Sequence, residues 1–204
     1  MEMTGEQLIP ASQQDTWNAL NDPEILKACV PGCESIDLVA ENEYQVLMVA
    51  RVGPVSAKFK GKLSLSDLNP PNSYSIAFEG QGGGAGFGKG GAQVSLAQEA
   101  EGTRLTYKVK ASVGGKLAQI GSRLVDAAAR KISEDFFRAF NEKVASLYGG
   151  GTAHEHAHEE GHDEHHPEPV APDPDMPTIS DSSVAFVAAG ALAIVAVALF
   201  LLYG

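Results

Sequence analysis

The first 148 residues contain no histidine, and the whole chain of 204 has two cysteines and one tryptophan. Without histidine, a His-assisted serine or cysteine nucleophile is excluded from that stretch. Cys29 and Cys33, in a C-x3-C spacing, supply half of a four-ligand structural zinc site, and no third cysteine completes it. A disulfide is out of place in a reducing cytoplasm, so the pair reads as reduced structural thiols. No carboxylate pair falls by periodicity on an apolar face. Asp15, Asp22, Glu24, Glu34 and Asp37 belong to helix starts and turns. These absences predict a protein that is not an enzyme.

Positive charge is missing from the end of the chain. All 15 Lys and Arg lie in residues 1–148, against 17 acids, whereas residues 149–204 carry nine acids and no base. A near-neutral domain with an acidic tail lacks the surplus that nucleic-acid backbones require, so no nucleic-acid partner is expected. The opening residues, MEMTGEQLIPASQQ, have neither the basic nor the apolar region of a secretory signal.

One long hydrophobic run is present. Val184 to Tyr203 contains no charge, Asn, Gln or Pro. Twenty residues at about 1.5 Å each reach roughly 30 Å, the thickness of a bilayer core. The expectation is a single-pass C-terminal anchor in the cytoplasmic membrane, with the preceding domain facing the cytoplasm. Residues 149–183 hold Gly, Pro, His and acids with almost no bulky apolar residue, which predicts a disordered tether. All six histidines fall between His154 and His166. The His-x-His-x-His spacing of His154, His156 and His158 makes them weak metal ligands, and a solvated tether is the plainer reading. Three parts follow: a globular domain over 1–148, the tether over 149–183 and the span over 184–203.

Within the domain, apolar residues alternate with polar ones. Tyr44, Val46, Met48 and Ala50 form one such set, and Phe59, Gly61, Leu63 and Leu65 a second. Tyr74, Ile76 and Phe78, then Leu105, Tyr107 and Val109, continue the pattern. Period two of this kind predicts half-buried antiparallel strands. Asn69-Pro70-Pro71-Asn72 and Glu101-Gly102 mark turns. Ser12 caps a short helix through Leu20, and Asp22-Pro23 opens a second that ends at Pro31-Gly32. From Leu117 to Leu147, apolar residues recur every four positions: Ile120, Leu124, Ala128, Ile132, Phe136, Phe140 and Val144. That stripe predicts one long amphipathic helix. The fold class is α+β, a curved antiparallel sheet wrapped around a long helix.

Residues 80–91, GQGGGAGFGKGG, contain eight glycines. A phosphate-binding loop would need Ser or Thr after Lys89 and a helix beyond it, and neither is present. The stretch reads as a flexible hairpin or bulged strand pair, or as a mobile portal with Phe87 as gate. Lys58, Lys60 and Lys62 share one strand face. They read as a solvated face, or as a docking patch for an acidic partner or anionic headgroups.

Several motifs in one order resemble the CoxG family, the G subunit of carbon monoxide dehydrogenase. They are Leu26 with Val30-Pro31-Gly32-Cys33-Glu34-Ser35, then Val52-Gly53-Pro54-Val55 with Phe59-Lys60-Gly61. Gly86-Phe87-Gly88-Lys89-Gly90 and Gly115-Lys116-Leu117-Ala118-Gln119-Ile120-Gly121 follow. The likeness covers roughly residues 1–148, with a glycine run longer than the family's usual pattern. It implies a helix-grip fold of the START and Bet v 1 (SRPBCC) superfamily, with an apolar cavity between sheet and helix. It also implies an accessory protein that recruits carbon monoxide dehydrogenase to the membrane and binds respiratory quinone, coupling the enzyme to the respiratory chain. No covalent cofactor is implied, and no catalytic residue carries over. Inward-facing candidates for the ligand cavity are Trp17, Met48, Phe59, Phe78, Phe87, Leu96, Tyr107, Ile120, Leu124 and Phe136, each of which could instead be core. The rival expectation is a recruitment or assembly factor whose interior is filled by its own side chains, with the lysine face binding the enzyme.

Overall fold

The computed structural model describes residues 2–148. The expected tether (149–183), its histidines and the apolar run (184–203) lie outside the described residues. Among the described residues, no helix is long and apolar enough to cross a membrane.

The chain begins with strand β1 (Glu2–Ile9) and two short helices, α1 (Gln13–Leu20) and α2 (Pro23–Cys29). Six strands follow: β2 (Cys33–Ala40), β3 (Glu43–Val52), β4 (Val55–Asn69), β5 (Ser73–Gln81), β6 (Phe87–Glu99) and β7 (Gly102–Gly114). A short helix α3 (Lys116–Gln119) leads into the long helix α4 (Ser122–Tyr148). The strands make one antiparallel sheet in the order β1-β7-β6-β5-β4-β3-β2. Consecutive strands pair through short turns, and β1 returns to pair with β7.

Local signals fix the ends. The Ser12 hydroxyl accepts the Asp15 amide, and the Asp22 carboxylate accepts the amides of Glu24 and Ile25 with Pro23 at the first helical position. Each cap satisfies donors that a helix N-terminus otherwise leaves unpaired. The predicted alternation holds in β3, β4, β5 and β7, whereas β2 exposes the consecutive Leu38 and Val39. Tyr44, Val46, Met48, Phe59, Leu63, Tyr74, Ile76, Leu105 and Val109 are all buried on the inner face. Helix α4 crosses that face with Val125, Ala129, Ser133, Phe136, Phe137, Phe140 and Val144 buried. Burying a large apolar side chain of this kind contributes about 1.5–3 kcal/mol.

The helix departs from the expected stripe at its start. A step of four residues overshoots a full turn by about 40°, so Leu124 lies about 120° round the helix from Phe136. Leu124 is 50% exposed, and Val125 takes the buried place. The helix is also not continuous from Leu117. It breaks at Gly121, whose φ of +94° is a left-handed conformation that favours glycine.

Candidate functional site

The sheet and α4 meet at two ends of different character. Trp17 closes one end, its ring edge-on to Tyr74 at 5.4 Å and 88°. The middle is filled by aromatic packing: Phe136 stacks on Phe140 at 5.5 Å, and Tyr107 on Phe137 at 5.7 Å. At the other end the side chains shorten. The inward positions there are Gly61, Gly80, Gly88, Gly90, Ala111 and Val113, and Gly61, Gly80 and Gly88 lie in register across β4, β5 and β6. Phe59 partly refills this space. Its ring lies where a Cβ on Gly82 would have to sit, within 2.1 Å of that position.

What remains open is a mouth of about 210 Å³ between the end of β7 and the start of the helices. Ala111, Val113, Leu117, Ala118 and Val125 give it an apolar lining, with Ser112, Ser122 and Asp126 at the rim. The turn between β3 and β4 flanks it, with Gly53 beside Leu124.

The residues expected to line a cavity divide accordingly. Trp17, Met48, Phe59, Phe78, Leu96, Tyr107 and Phe136 are all buried as core. Met48 and Phe136 are 0% exposed, so no water-sized space adjoins them. Ile120 is half-buried near the mouth. Two placements are corrected. Leu124 is exposed for the helical phase just described. Phe87 is 54% exposed on the outer face of the sheet, in phase with Lys89 and Gln93, and its ring covers Gly114. It does not face inward as a gate. The glycine run forms a hairpin, with a 3-10 turn at Gly83–Ala85 between β5 and β6. Sequence reasoning missed the mouth residues Ala111, Val113, Leu117 and Val125. Their signal is present, since Ala111 and Val113 continue the inward phase of Tyr107 and Val109.

A second concavity, of about 530 Å³, lies on the outer face. Lys58, Lys60, Lys62 and Lys89 line it with Gln45, Glu79, Gln81 and Phe87. Lys58 pairs with Glu34, and Lys62 with Glu43 at 3.1 Å. Lys60 and Lys89 have no ion-pair partner among the described residues.

Little here supports bond-making chemistry. Cys29 and Cys33 are free thiols, and burial pushes both up to about 11, away from the reactive thiolate. Among the described residues, no cluster of His, Cys, Asp and Glu could hold a metal ion. A buried hydroxyl pair, Tyr107 and Ser133 at 3.1 Å, ties sheet to helix.

A seven-stranded antiparallel sheet gripping one long helix defines a helix-grip protein, and solved structures agree. A START superfamily protein from Mycobacterium smegmatis aligns with a TM-score of 0.56 at 13% identity, over 72% of this chain and 98% of its own. A Thermus thermophilus protein aligns at 0.54 and 20%, over 72% and 99%. At these identities the likeness shows the fold. A conserved protein from Geobacillus kaustophilus is more similar, with a TM-score of 0.68 and 30% identity over 72% of this chain and 97% of its own. The model of the CoxG family, the G subunit of carbon monoxide dehydrogenase, matches residues 5–145. The chain belongs to that family. No functionally curated protein matches its sequence.

Proposed function

We propose that this protein is a non-catalytic accessory protein of carbon monoxide dehydrogenase, held at the cytoplasmic membrane with its domain facing the cytoplasm. In this reading the helix-grip domain takes the head of a respiratory quinone at its mouth. The observation that carries the ligand is the apolar opening between β7 and the helices, on a domain of the CoxG family. Its size sets what fits. A cavity of about 150 Å³ holds a benzene ring. An opening of about 210 Å³ takes one substituted ring and no isoprenoid chain. The tail then stays outside, along the lipid from which the ring came. Residues 184–203 supply the anchor, and anchoring raises the effective concentration of enzyme and quinone at one surface. The outer-face lysines 58, 60 and 62 offer an acidic face of the enzyme a place to dock.

The packed interior favours a second reading, in which the protein recruits the enzyme and carries no ligand. One experiment separates the two. The full chain and its Val113→Trp variant are purified from membranes in mild detergent, extracted with organic solvent and assayed for quinone by mass spectrometry. Stoichiometric quinone in the native chain, lost when the new indole fills the mouth, supports the ligand reading. Equal amounts in both leave recruitment alone.

A further inference from the structure

The domain's near-neutral total conceals a separation of charge along its long axis. Segments 51–62, 80–92 and 110–125 converge on the mouth and carry eight Lys and Arg and no acid. Segments 10–24, 35–45, 63–75 and 93–103 hold the turns and short helices toward the opposite end, with nine acids and no base. From β3 to β7 the charge changes sign as the chain crosses the sheet. Four acids do lie in the mouth half. Glu2 pairs with Lys110, Glu34 pairs with Lys58, Glu79 sits across from Lys62 and Lys89, and Asp126 is on the rim. Arg51, Lys60, Lys116 and Arg123 remain without an ion-pair partner among the described residues.

Exposed apolar side chains occur at both ends, with Leu8, Leu38, Val39, Leu68 and Leu147 toward the acidic end and Leu124 and Phe87 among the cations. Leu124, on the helix side beside the mouth, and Phe87, on the outer face of the sheet over Gly114, are both half exposed at the cationic end. Cations around protruding apolar side chains make an amphipathic surface. An anionic bilayer fits both parts, since headgroups pair with the bases while Leu and Phe enter the acyl boundary. An acidic protein surface would match the charge alone.

We propose that the mouth end of this domain docks on an anionic lipid surface, with Leu124 and Phe87 inserted and Arg51, Lys116 and Arg123 on the headgroups. The inference takes the membrane location of the proposed function as given and does not depend on a ligand being bound. Chain length permits the pose. Helix α4 has 27 residues and rises about 40 Å, so the chain leaves the domain at Tyr148, at the acidic end. Residues 149–183 can extend to roughly 115 Å, enough for the domain to turn its mouth to the bilayer. That segment carries nine acids and no Lys or Arg, which leaves the mouth as the attractive face.

The test uses the full chain carrying Leu124→Trp, with Phe87→Trp as a second reporter should the first fold poorly. Each is reconstituted in phosphatidylcholine vesicles and in phosphatidylcholine–phosphatidylglycerol vesicles, both with brominated acyl chains. Trp17 is buried at the far end and supplies a constant background. The expected result is a blue-shifted, quenched reporter on the anionic vesicles, released by high salt and absent on phosphatidylcholine alone. Each cation near the surface is worth about fivefold. Adding Lys116→Glu and Arg123→Glu therefore lowers the docked-to-free ratio about 25-fold or more, while Lys27→Glu with Lys143→Glu leaves it unchanged. Equal quenching on the two vesicles overturns the proposal. So does a reporter that stays exposed on both, even if the dehydrogenase then covers it.

Discussion

The Tyr107 hydroxyl and the Ser133 hydroxyl stand 3.1 Å apart inside the grip, both buried. Tyr107 comes from the inner face of β7 and Ser133 from the middle of α4, so the bond sets how the helix lies in the sheet. Removing one partner leaves the other buried and unsatisfied, at a cost of about 1–3 kcal/mol. Tyr107→Phe and Ser133→Ala should each lower stability by that order. The double variant should lose less than the sum, with a coupling of about 1 kcal/mol. Denaturant unfolding of the four proteins measures it, and additive losses would mean that the bond does nothing.

Phe59 and Phe87 separate core from surface. Phe59 is 1% exposed and fills the space over Gly82, whereas Phe87 lies half-exposed on the outer face. Phe59→Ala should cost about 3–5 kcal/mol and enlarge the mouth inward. Phe87→Ala should cost less than about 1 kcal/mol, since an exposed site relaxes into water. Thermal unfolding of both variants tests the placement, and comparable losses would contradict it.

The two thiols give the domain an alkaline limb. Burial raises both Cys29 and Cys33 to about 11. An unfolded thiol ionises near pH 8.5. Between these values the unfolded chain releases protons that the folded chain retains, so folding stability falls as pH rises. The contribution is intact below the unfolded value and is lost as pH climbs through about 11. Unfolding free energies across that window should decline, and Cys29→Ala with Cys33→Ala should flatten the decline. An unchanged slope in the double variant would place its cause elsewhere.

Much of this architecture is legible in the residues, because strands and caps are local. The alternation around Tyr44, Phe59 and Leu105 states which side chains face inward, and Ser12 and Asp22 announce the helices they cap. Leu124 misleads because a period of four looks like a helix face over two turns and drifts off it over four. Phe87 misleads because the glycines on either side hide the alternation that puts it in phase with Lys89. Whether an inward aromatic is core or lining depends on what stands opposite. Phe59 packs against Gly82, 23 positions further along, and no period reports that pairing. The polarity of charge is countable in the sequence and invisible in its total, since strand topology decides which segments share an end.

The central claim is that an apolar ring enters at the mouth and leaves the interior closed. The most direct measurement is a methyl and amide NMR titration of the full chain in detergent micelles with a short-tailed quinone. Saturable shifts confined to Ala111, Val113, Leu117, Ala118 and Val125, with Met48 and the Trp17 indole unmoved, are the predicted result. Shifts running through Met48 and Phe136 would show that the grip opens to its core, and a spectrum unchanged at saturating quinone would remove the ligand from the account.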